Sequence, residues 1–170
     1  VEVALTREIP QAIAPILDLS RAPLDPRQAT TATFYSISNC QRGLGGVTFG
    51  SFLIKQVVEE ISREFPNLST FVTLSPVPAF MLWLNEERAR EDSGLIAEAD
   101  KNTLAILDTP GWETSRDKIA ALMPVIAPLA AHYFLSARTE RGRPIDPVAR
   151  FHLGNGARLE RVNLMGDTSV

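Results

Sequence analysis

The sequence has few of the residues that build metal centres or covalent cross-links. Its 170 residues include one cysteine and two histidines. A single cysteine excludes an internal disulfide and a zinc site built from several thiolates. The carboxylates are scattered along the chain, and we therefore predict no metal site.

An excess of positive charge and long uninterrupted apolar runs are also absent. The chain has 17 basic and 20 acidic residues, a net charge of −3, which gives no reason to expect nucleic acid or an anionic membrane as a partner. The most apolar stretch, residues 122–135, is interrupted by Pro124, Pro128 and His132. We therefore expect no membrane span.

The composition is typical of a globular protein, and the length suits a single domain with a sizeable core. The chain begins without methionine and shows no signal-peptide pattern, so we expect a piece of a longer chain. Apolar periodicity predicts alternating strands and helices, and hence an α/β fold. The predicted strands cover residues 1–6, 33–38, 69–74 and 158–164, and the predicted helices cover 9–17, 51–65, 80–84, 95–107 and 115–137.

A strand, a glycine-rich loop and a helix follow one another between Thr31 and Glu64. This order aims backbone N–H groups and a helix N-terminus at an anion, usually a phosphate, although a tight turn without a ligand gives the same pattern. The glycine spacing matches neither the Rossmann nor the P-loop motif. The glycine-rich loop resembles the pyrophosphate loop of the GNAT (acetyltransferase-like) fold. Arg42 and Gly45 fit the pattern of that loop, while Val47 departs from it. We therefore predict coenzyme A pyrophosphate as the ligand.

Ser75 lies at the end of a predicted strand and directly before Pro76, and Pro78 follows two residues later. Prolines restrict the backbone, so this serine is expected in a rigid, extended turn. A turn or capping role is the simpler interpretation of a serine at a strand end. The residue lies outside any G-x-S-x-G elbow, which excludes a serine hydrolase of that type.

His152 is the histidine best placed for chemistry, because Gly154-Asn155-Gly156 follows it and predicts a tight turn. Imidazole suits proton transfer near neutral pH. We place this turn, like Ser75 and the glycine loop, at the C-terminal end of a strand. Asn155 is either a donor to an oxyanion or a left-handed turn residue. His132, in an apolar helix, is interpreted as a satisfied core histidine or a surface histidine.

Three motifs in this order resemble the catalytic domain of the malonyl-CoA decarboxylase family. They are Phe34–Val58, Leu74–Phe80 (LSPVPAF) and Asp146–Ala157 (DPVARFHLGNGA), and the resemblance runs from about Val3 to Ser169. It implies a GNAT-like mixed sheet flanked by helices, with a pyrophosphate-binding strand–loop–helix unit. It also implies conversion of malonyl-CoA to acetyl-CoA and CO2 without a metal or organic cofactor, the coenzyme A thioester being the substrate.

The resemblance assigns roles to particular residues. Ser75 matches the catalytic serine and His152 the catalytic histidine. Asn155 is a further substrate-binding candidate, and Thr48 stands where animal members carry glutamate. The substrate loop falls on Gly45, Gly46, Val47, Thr48, Phe49, Gly50 and Ser51. We hypothesise that His152 delivers a proton and that Ser75 orients the malonyl carboxylate or an adjacent water.

Domain organisation and partners are likewise implied. Residues 1–170 are expected to form a single catalytic domain that lacks the family's N-terminal helical domain, through which the protein would form homo-oligomers. The expected location is the cytoplasm for a bacterial chain, and the mitochondrion or peroxisome for a eukaryotic one. Two other functions stay open. A GNAT-type acyltransferase would need an amine acceptor, and a non-catalytic acyl-CoA-binding module would tolerate loss of Ser75 and His152.

Overall fold

The computed structural model describes residues 1–37 and 50–168 of the chain. Of residues 50 and 51 it gives the helical backbone alone. The described residues fall into two compact units, Val1–Ser75 and Pro76–Thr168, and each unit is considered by itself. Five residues predicted to bind substrate, Gly45, Gly46, Val47, Thr48 and Phe49, lie outside the described residues.

The first unit contains a three-stranded mixed sheet. Its strands are β1 (Glu2–Thr6), β2 (Thr31–Ser36) and β3 (Thr70–Thr73), in the order β1-β2-β3. β1 pairs antiparallel with β2, and β2 pairs parallel with β3. The strands are rich in threonine, valine and aromatic residues, which suit a pleated surface. The predicted α/β class with a mixed sheet is thereby confirmed.

Helix α2 (Gly50–Glu64) packs against this sheet and connects its two parallel strands. A parallel pair needs such a crossover, because a hairpin can join only antiparallel strands. Ala32 and Phe34 of β2 are buried at 0% and 1% exposure. From the helix, Ile54, Val57, Val58, Ile61 and the following Phe65 pack against them. Leu53 is 44% exposed, and the apolar face that packs against the sheet begins at Ile54.

The first unit also holds α1 (Ala14–Leu17), a single turn where the sequence predicted a helix from residue 9. The second unit is helical. Its helices are α3 (Phe80–Ala89), α4 (Glu98–Leu104), α5 (Arg116–Ser136) and α6 (Pro147–Gly154). Its core consists of Trp83, Leu84, Ile96, Leu104, Leu122, Ile126, Leu129, Tyr133 and Phe134.

Helix α5 runs through the core despite two prolines in its interior, Pro124 and Pro128. A proline lacks the N–H that would bond the carbonyl four residues earlier. Both prolines are exposed, and so are Ala120 and Pro124, the residues whose carbonyls lose that donor. Water can satisfy these carbonyls, which explains how the helix continues.

Judged by length and composition only, the same helix is long and apolar enough to cross a membrane. Its most apolar 18-residue window has a mean hydropathy of 1.7, and a third of that window is buried inside the protein. Core helices of globular proteins also meet this test. The buried face of α5, from Leu122 to Phe134, contributes to the core of the second unit.

One predicted strand is wrong. Residues 158–164 alternate apolar and polar side chains, but they are irregular in the structure. Val162 and Leu164 instead pack against the core of the second unit. A strand needs a partner for its backbone groups. Within the described part of the second unit, the strand pairing consists of an isolated bridge between Arg138 and Pro144.

Two helix boundaries also differ from the prediction. The short helix predicted over residues 80–84 continues to Ala89 through Asn85, Glu86 and Glu87, so the polar stretch extends the helix instead of ending it. The helix predicted over 95–107 begins at Glu98 and gives way to a 3-10 turn, Ala105–Asp108, which ends the run.

The core contribution of α5 can be measured with two leucines of the same helix. Leu122 is 1% exposed and Leu135 is 70% exposed. We expect Leu122→Ala to lower the free energy of unfolding by about 2–5 kcal/mol, because it removes buried methyl groups and leaves a cavity. Leu135→Ala should change it by no more than about 0.5 kcal/mol.

Urea unfolding followed by tryptophan fluorescence measures this difference. Both tryptophans, Trp83 and Trp112, lie in the second unit, so the signal reports on that unit. Equal losses of stability in the two variants would contradict the assignment of α5 as a core helix.

Candidate active site

Ser75 is the last described residue of the first unit and follows β3 at its carboxyl end. The N–H of Leu74 donates to the carbonyl of Phe34 at 2.9 Å, so pairing with β2 continues to the residue before the serine. Pro76 and Pro78 have no N–H to donate, which ends the pairing there. Ser75 is half-buried. Its predicted place at a strand end is confirmed.

The sheet edge that carries Ser75 is also the edge where β2 ends, because β2 and β3 are parallel. Helix α2 ends at Glu64, and only five residues separate it from the start of β3, so its carboxyl end lies at the opposite edge. Its N-terminus, at Gly50, therefore points toward the edge of Ser75. A helix N-terminus presents free N–H groups and a partial positive charge.

His152 lies on helix α6 and not at the end of a strand, which corrects the sequence-based placement. The helix begins at Asp146, whose Oδ1 accepts hydrogen bonds from the N–H groups of Val148 at 2.9 Å and Ala149 at 2.8 Å. Pro147 occupies the first helical position, where a missing N–H costs nothing. Aspartate followed by proline is a helix-start signal that the sequence reasoning missed.

The carboxyl end of α6 is closed by a Schellman motif. The N–H of Gly156 donates to the carbonyl of Leu153 at 3.1 Å, and that of Ala157 donates to the carbonyl of His152 at 3.0 Å. Gly156 has φ 86°, the left-handed conformation that this motif requires and glycine favours. The predicted tight turn is confirmed, and the backbone carbonyl of His152 accepts one of its hydrogen bonds.

One of the two interpretations of Asn155, a left-handed turn residue, is wrong. Its φ is −98° and its ψ is 12°, and the left-handed residue is Gly156. The side-chain Nδ2 of Asn155 donates to the carbonyl of Phe151 at 2.6 Å, which uses one of its two N–H groups. A role as donor to an oxyanion stays a prediction.

The His152 side chain is half-buried and its ring meets that of Phe151 edge-on, with 5.1 Å between the ring centroids. Burial lowers the pKa of His152, because a charged imidazolium loses hydration there. The neutral imidazole is therefore favoured in the free chain. A half-buried imidazole with a lowered pKa can exchange a proton with a bound molecule.

A buried pair of polar residues, which the sequence reasoning also missed, lies next to this helix. Asp146 is 2% exposed and Tyr133 of α5 is 1% exposed. The Tyr133 hydroxyl donates to Asp146 Oδ2 at 3.2 Å. Burial, and then the charge of Asp146, raises the pKa of Tyr133 to about 12, so the hydroxyl stays protonated as a donor.

Among residues 1–37 and 50–168, no group of three or more His, Cys, Asp and Glu side chains is arranged to hold a metal ion. Ser75 belongs to the first unit and His152 to the second. Their joint role in one reaction stays a prediction, as does substrate binding by residues 45–51.

Known proteins that resemble the chain include curated relatives and solved structures. A malonyl-CoA decarboxylase named as mitochondrial, from Anser anser anser, is 38% identical over 98% of this chain and 37% of its own length. One from Rattus norvegicus is 37% identical over 86% of this chain and 33% of its own length.

Crystal structures of two bacterial malonyl-CoA decarboxylases share the fold. The protein from Rhodopseudomonas palustris superposes with a TM-score of 0.91 at 59% identity, and that from Agrobacterium vitis with 0.92 at 55% identity. Each comparison covers 98% of this chain and 38% or 41% of the solved one. The chain therefore spans roughly a third to two fifths of the length of the proteins it matches.

The family comparison covers the whole chain. Residues 1–170 match the family described as the malonyl-CoA decarboxylase C-terminal domain. This chain belongs to the malonyl-CoA decarboxylase C-terminal domain family.

Proposed function

We propose that this chain converts malonyl-CoA to acetyl-CoA and CO2, with Ser75 and His152 as its catalytic residues. The observation that carries the proposal is the match of all 170 residues to the malonyl-CoA decarboxylase C-terminal domain. The two solved decarboxylases, both more than 50% identical to this chain, support it. The relatives are longer than this chain, and the proposed activity is accordingly tested on the chain itself.

The reaction breaks the bond between the α-carbon and the carboxylate. CO2 leaves, and the bonding electrons remain as an enolate of the thioester. Catalysis then needs stabilisation of the charge on the thioester oxygen and a proton for the α-carbon. His152 supplies that proton and later regains one from solvent. The chemistry needs no metal or organic cofactor.

Ser75 has the complementary role of orienting the substrate. The serine is fixed between the end of the β2–β3 pairing and Pro76, so its hydroxyl has a restricted range of positions. A hydroxyl in such a position can hydrogen-bond the malonyl carboxylate or the water next to it. This alignment favours the conformer that loses CO2.

The coenzyme A pyrophosphate is bound, in this proposal, by the backbone of residues 45–51 and the N-terminus of α2. Support comes from the direction of α2, whose N-terminus points toward the sheet edge that carries Ser75. Binding energy from phosphates remote from the reacting carbon can position the carboxylate. Thr48 supplies no carboxylate to the site.

The first test compares four variants by release of acetyl-CoA and CO2 from malonyl-CoA. We expect His152→Ala to lower kcat by about 100- to 10,000-fold, the range for loss of a general acid. Ser75→Ala should lower it about 10- to 100-fold, as expected for a lost hydrogen bond to a charged group. The matched controls are His132→Ala and Ser69→Ala. His132 is exposed, and Ser69 precedes β3 as Ser75 follows it.

Binding of malonyl-CoA measured in parallel separates the other functions. Binding with no turnover in the unmodified chain would favour an acyl-CoA-binding module. Turnover of acetyl-CoA only when an amine is added would favour an acyltransferase. A His152→Ala variant with full turnover would remove this histidine from the mechanism.

The pH dependence provides a second test. Proton delivery uses the imidazolium, and burial lowers the pKa of His152 in the free chain. We therefore expect kcat/KM to fall about tenfold per pH unit above a midpoint below 6.5. The fall in kcat should occur at higher pH, because the bound malonyl carboxylate stabilises the imidazolium. A kcat/KM that rises with pH through this range would contradict donation by the imidazolium.

A further inference from the structure

Asp146 is a buried carboxylate whose hydrogen bonds join two helices. Oδ1 accepts from the N–H groups of Val148 and Ala149 at the start of α6, and Oδ2 accepts from the hydroxyl of Tyr133 in α5. A charge at 2% exposure is stable only when such bonds replace its hydration. The carboxylate thus serves as a helix cap and as an anchor to the core at the same time.

Helix α6 depends on this anchor because it is short. Eight residues span about 12 Å, and a helix of that length does not form by itself in water. The Schellman motif at its carboxyl end is made within residues 152–157 and fixes no distant element. The start of α6 is connected to the rest of the unit by the Tyr133 hydroxyl, by packing of Ala149 on the core, and by the preceding turn.

The preceding turn reinforces the same end of the helix. The N–H of Ile145 donates to the carbonyl of Ala137, the residue that follows α5, at 3.2 Å. Arg150 of α6 reaches back, and its Nη2 donates to the carbonyl of Ile145 at 3.0 Å. The side chains and backbone around Asp146 therefore set the direction in which α6 leaves the core.

We propose that Asp146 is a positioning residue for His152, acting through α6 together with its partner Tyr133. His152 follows Asp146 by six residues on the same helix, so a change in direction at the start displaces the imidazole. The effect on turnover rests on the proposed function. The lowered pKa of His152 is caused by burial of the ring, so a displacement of α6 that changes this burial also changes the pKa.

Three variants separate the parts of this anchor. Asp146→Ala removes the cap and the bond to Tyr133. Asp146→Asn keeps an oxygen for the two backbone N–H groups and offers an N–H to the Tyr133 oxygen. Tyr133→Phe removes the hydroxyl and leaves the cap in place.

The matched control is Asp25→Ala in the first unit. Asp25 precedes Pro26 as Asp146 precedes Pro147, and its Oδ1 accepts from the N–H of Arg27 at 3.0 Å to cap a 3-10 turn. Its side chain is 35% exposed and lies in the other unit. Asp25→Ala therefore measures the effect of losing the cap of a short helix that is not connected to α6.

We expect Asp146→Ala to lower kcat about 10- to 100-fold with little change in KM, since a small misplacement of a catalytic group has this cost. Asp146→Asn should recover most of the loss, and Tyr133→Phe should show a smaller decrease than Asp146→Ala. Asp25→Ala should leave kcat as it is in the unmodified chain. Rates are expressed per folded molecule, so a loss of global stability alone does not imitate the result.

NMR titration of the His152 ring gives a readout that does not need turnover. The chain has two histidines, and His132→Ala assigns their resonances. Loosening of α6 exposes the ring, so Asp146→Ala and Tyr133→Phe should raise the His152 pKa toward its usual value of about 6.5, while Asp25→Ala should not. If Asp146→Ala does not fold, Tyr133→Phe decides by the same titration.

The two proposals can fail separately. No turnover in the unmodified chain, with the expected shifts in the titration, would remove the decarboxylase activity from this chain and keep Asp146 as the residue that positions His152. Normal turnover and an unchanged His152 titration in both Asp146→Ala and Tyr133→Phe would overturn the positioning role.

Discussion

The hydrogen-bonded pair of Asp146 and Tyr133 is the interaction on which the arrangement of the second unit depends. A buried phenol needs a partner for its hydroxyl, and a buried carboxylate needs donors for its oxygens. Each residue supplies what the other lacks, and the two backbone N–H groups at the start of α6 complete the set. Removing one partner would leave a polar group buried without compensation, which costs more than the bond itself contributes. The pair therefore fixes α6, and with it His152, against an otherwise apolar core.

The first unit is organised by strand direction rather than by a buried polar pair. The parallel pairing of β2 and β3 forces a crossover, and α2 is that crossover. Two consequences follow from this topology: both strands end at the same edge, and the N-terminus of α2 points to it. Ser75 lies at that edge because Pro76 ends the pairing directly after it. In such sheets the edge beyond the carboxyl ends of the strands is where ligands bind.

Local sequence signals predicted those features that are themselves local. Apolar periodicity located α2 and α5, and an apolar strand followed by prolines located Ser75. Residues 158–164 misled the prediction, since alternation describes a strand only when a neighbouring strand exists to pair with it. His152 was assigned to a strand end because the Asp146-Pro147 start of α6 was overlooked. The bond between Tyr133 and Asp146 could not be predicted, because it depends on how two helices pack and neither residue signals the other.

Burial gives His152 a property that suits the proposed reaction better than a fully exposed imidazole would. Partial exclusion of water disfavours the imidazolium in the free chain, which lowers its pKa. The same exclusion strengthens any attraction between the ring and a charge that arrives beside it, because the effective dielectric constant is lower there. A malonyl carboxylate near the ring would therefore shift its proton affinity more than it could in bulk water. In this way proton loading of His152 would be coupled to the presence of a charged substrate. When CO2 leaves, the negative charge passes from the carboxylate to the enolate, and the proton of His152 is transferred to the α-carbon.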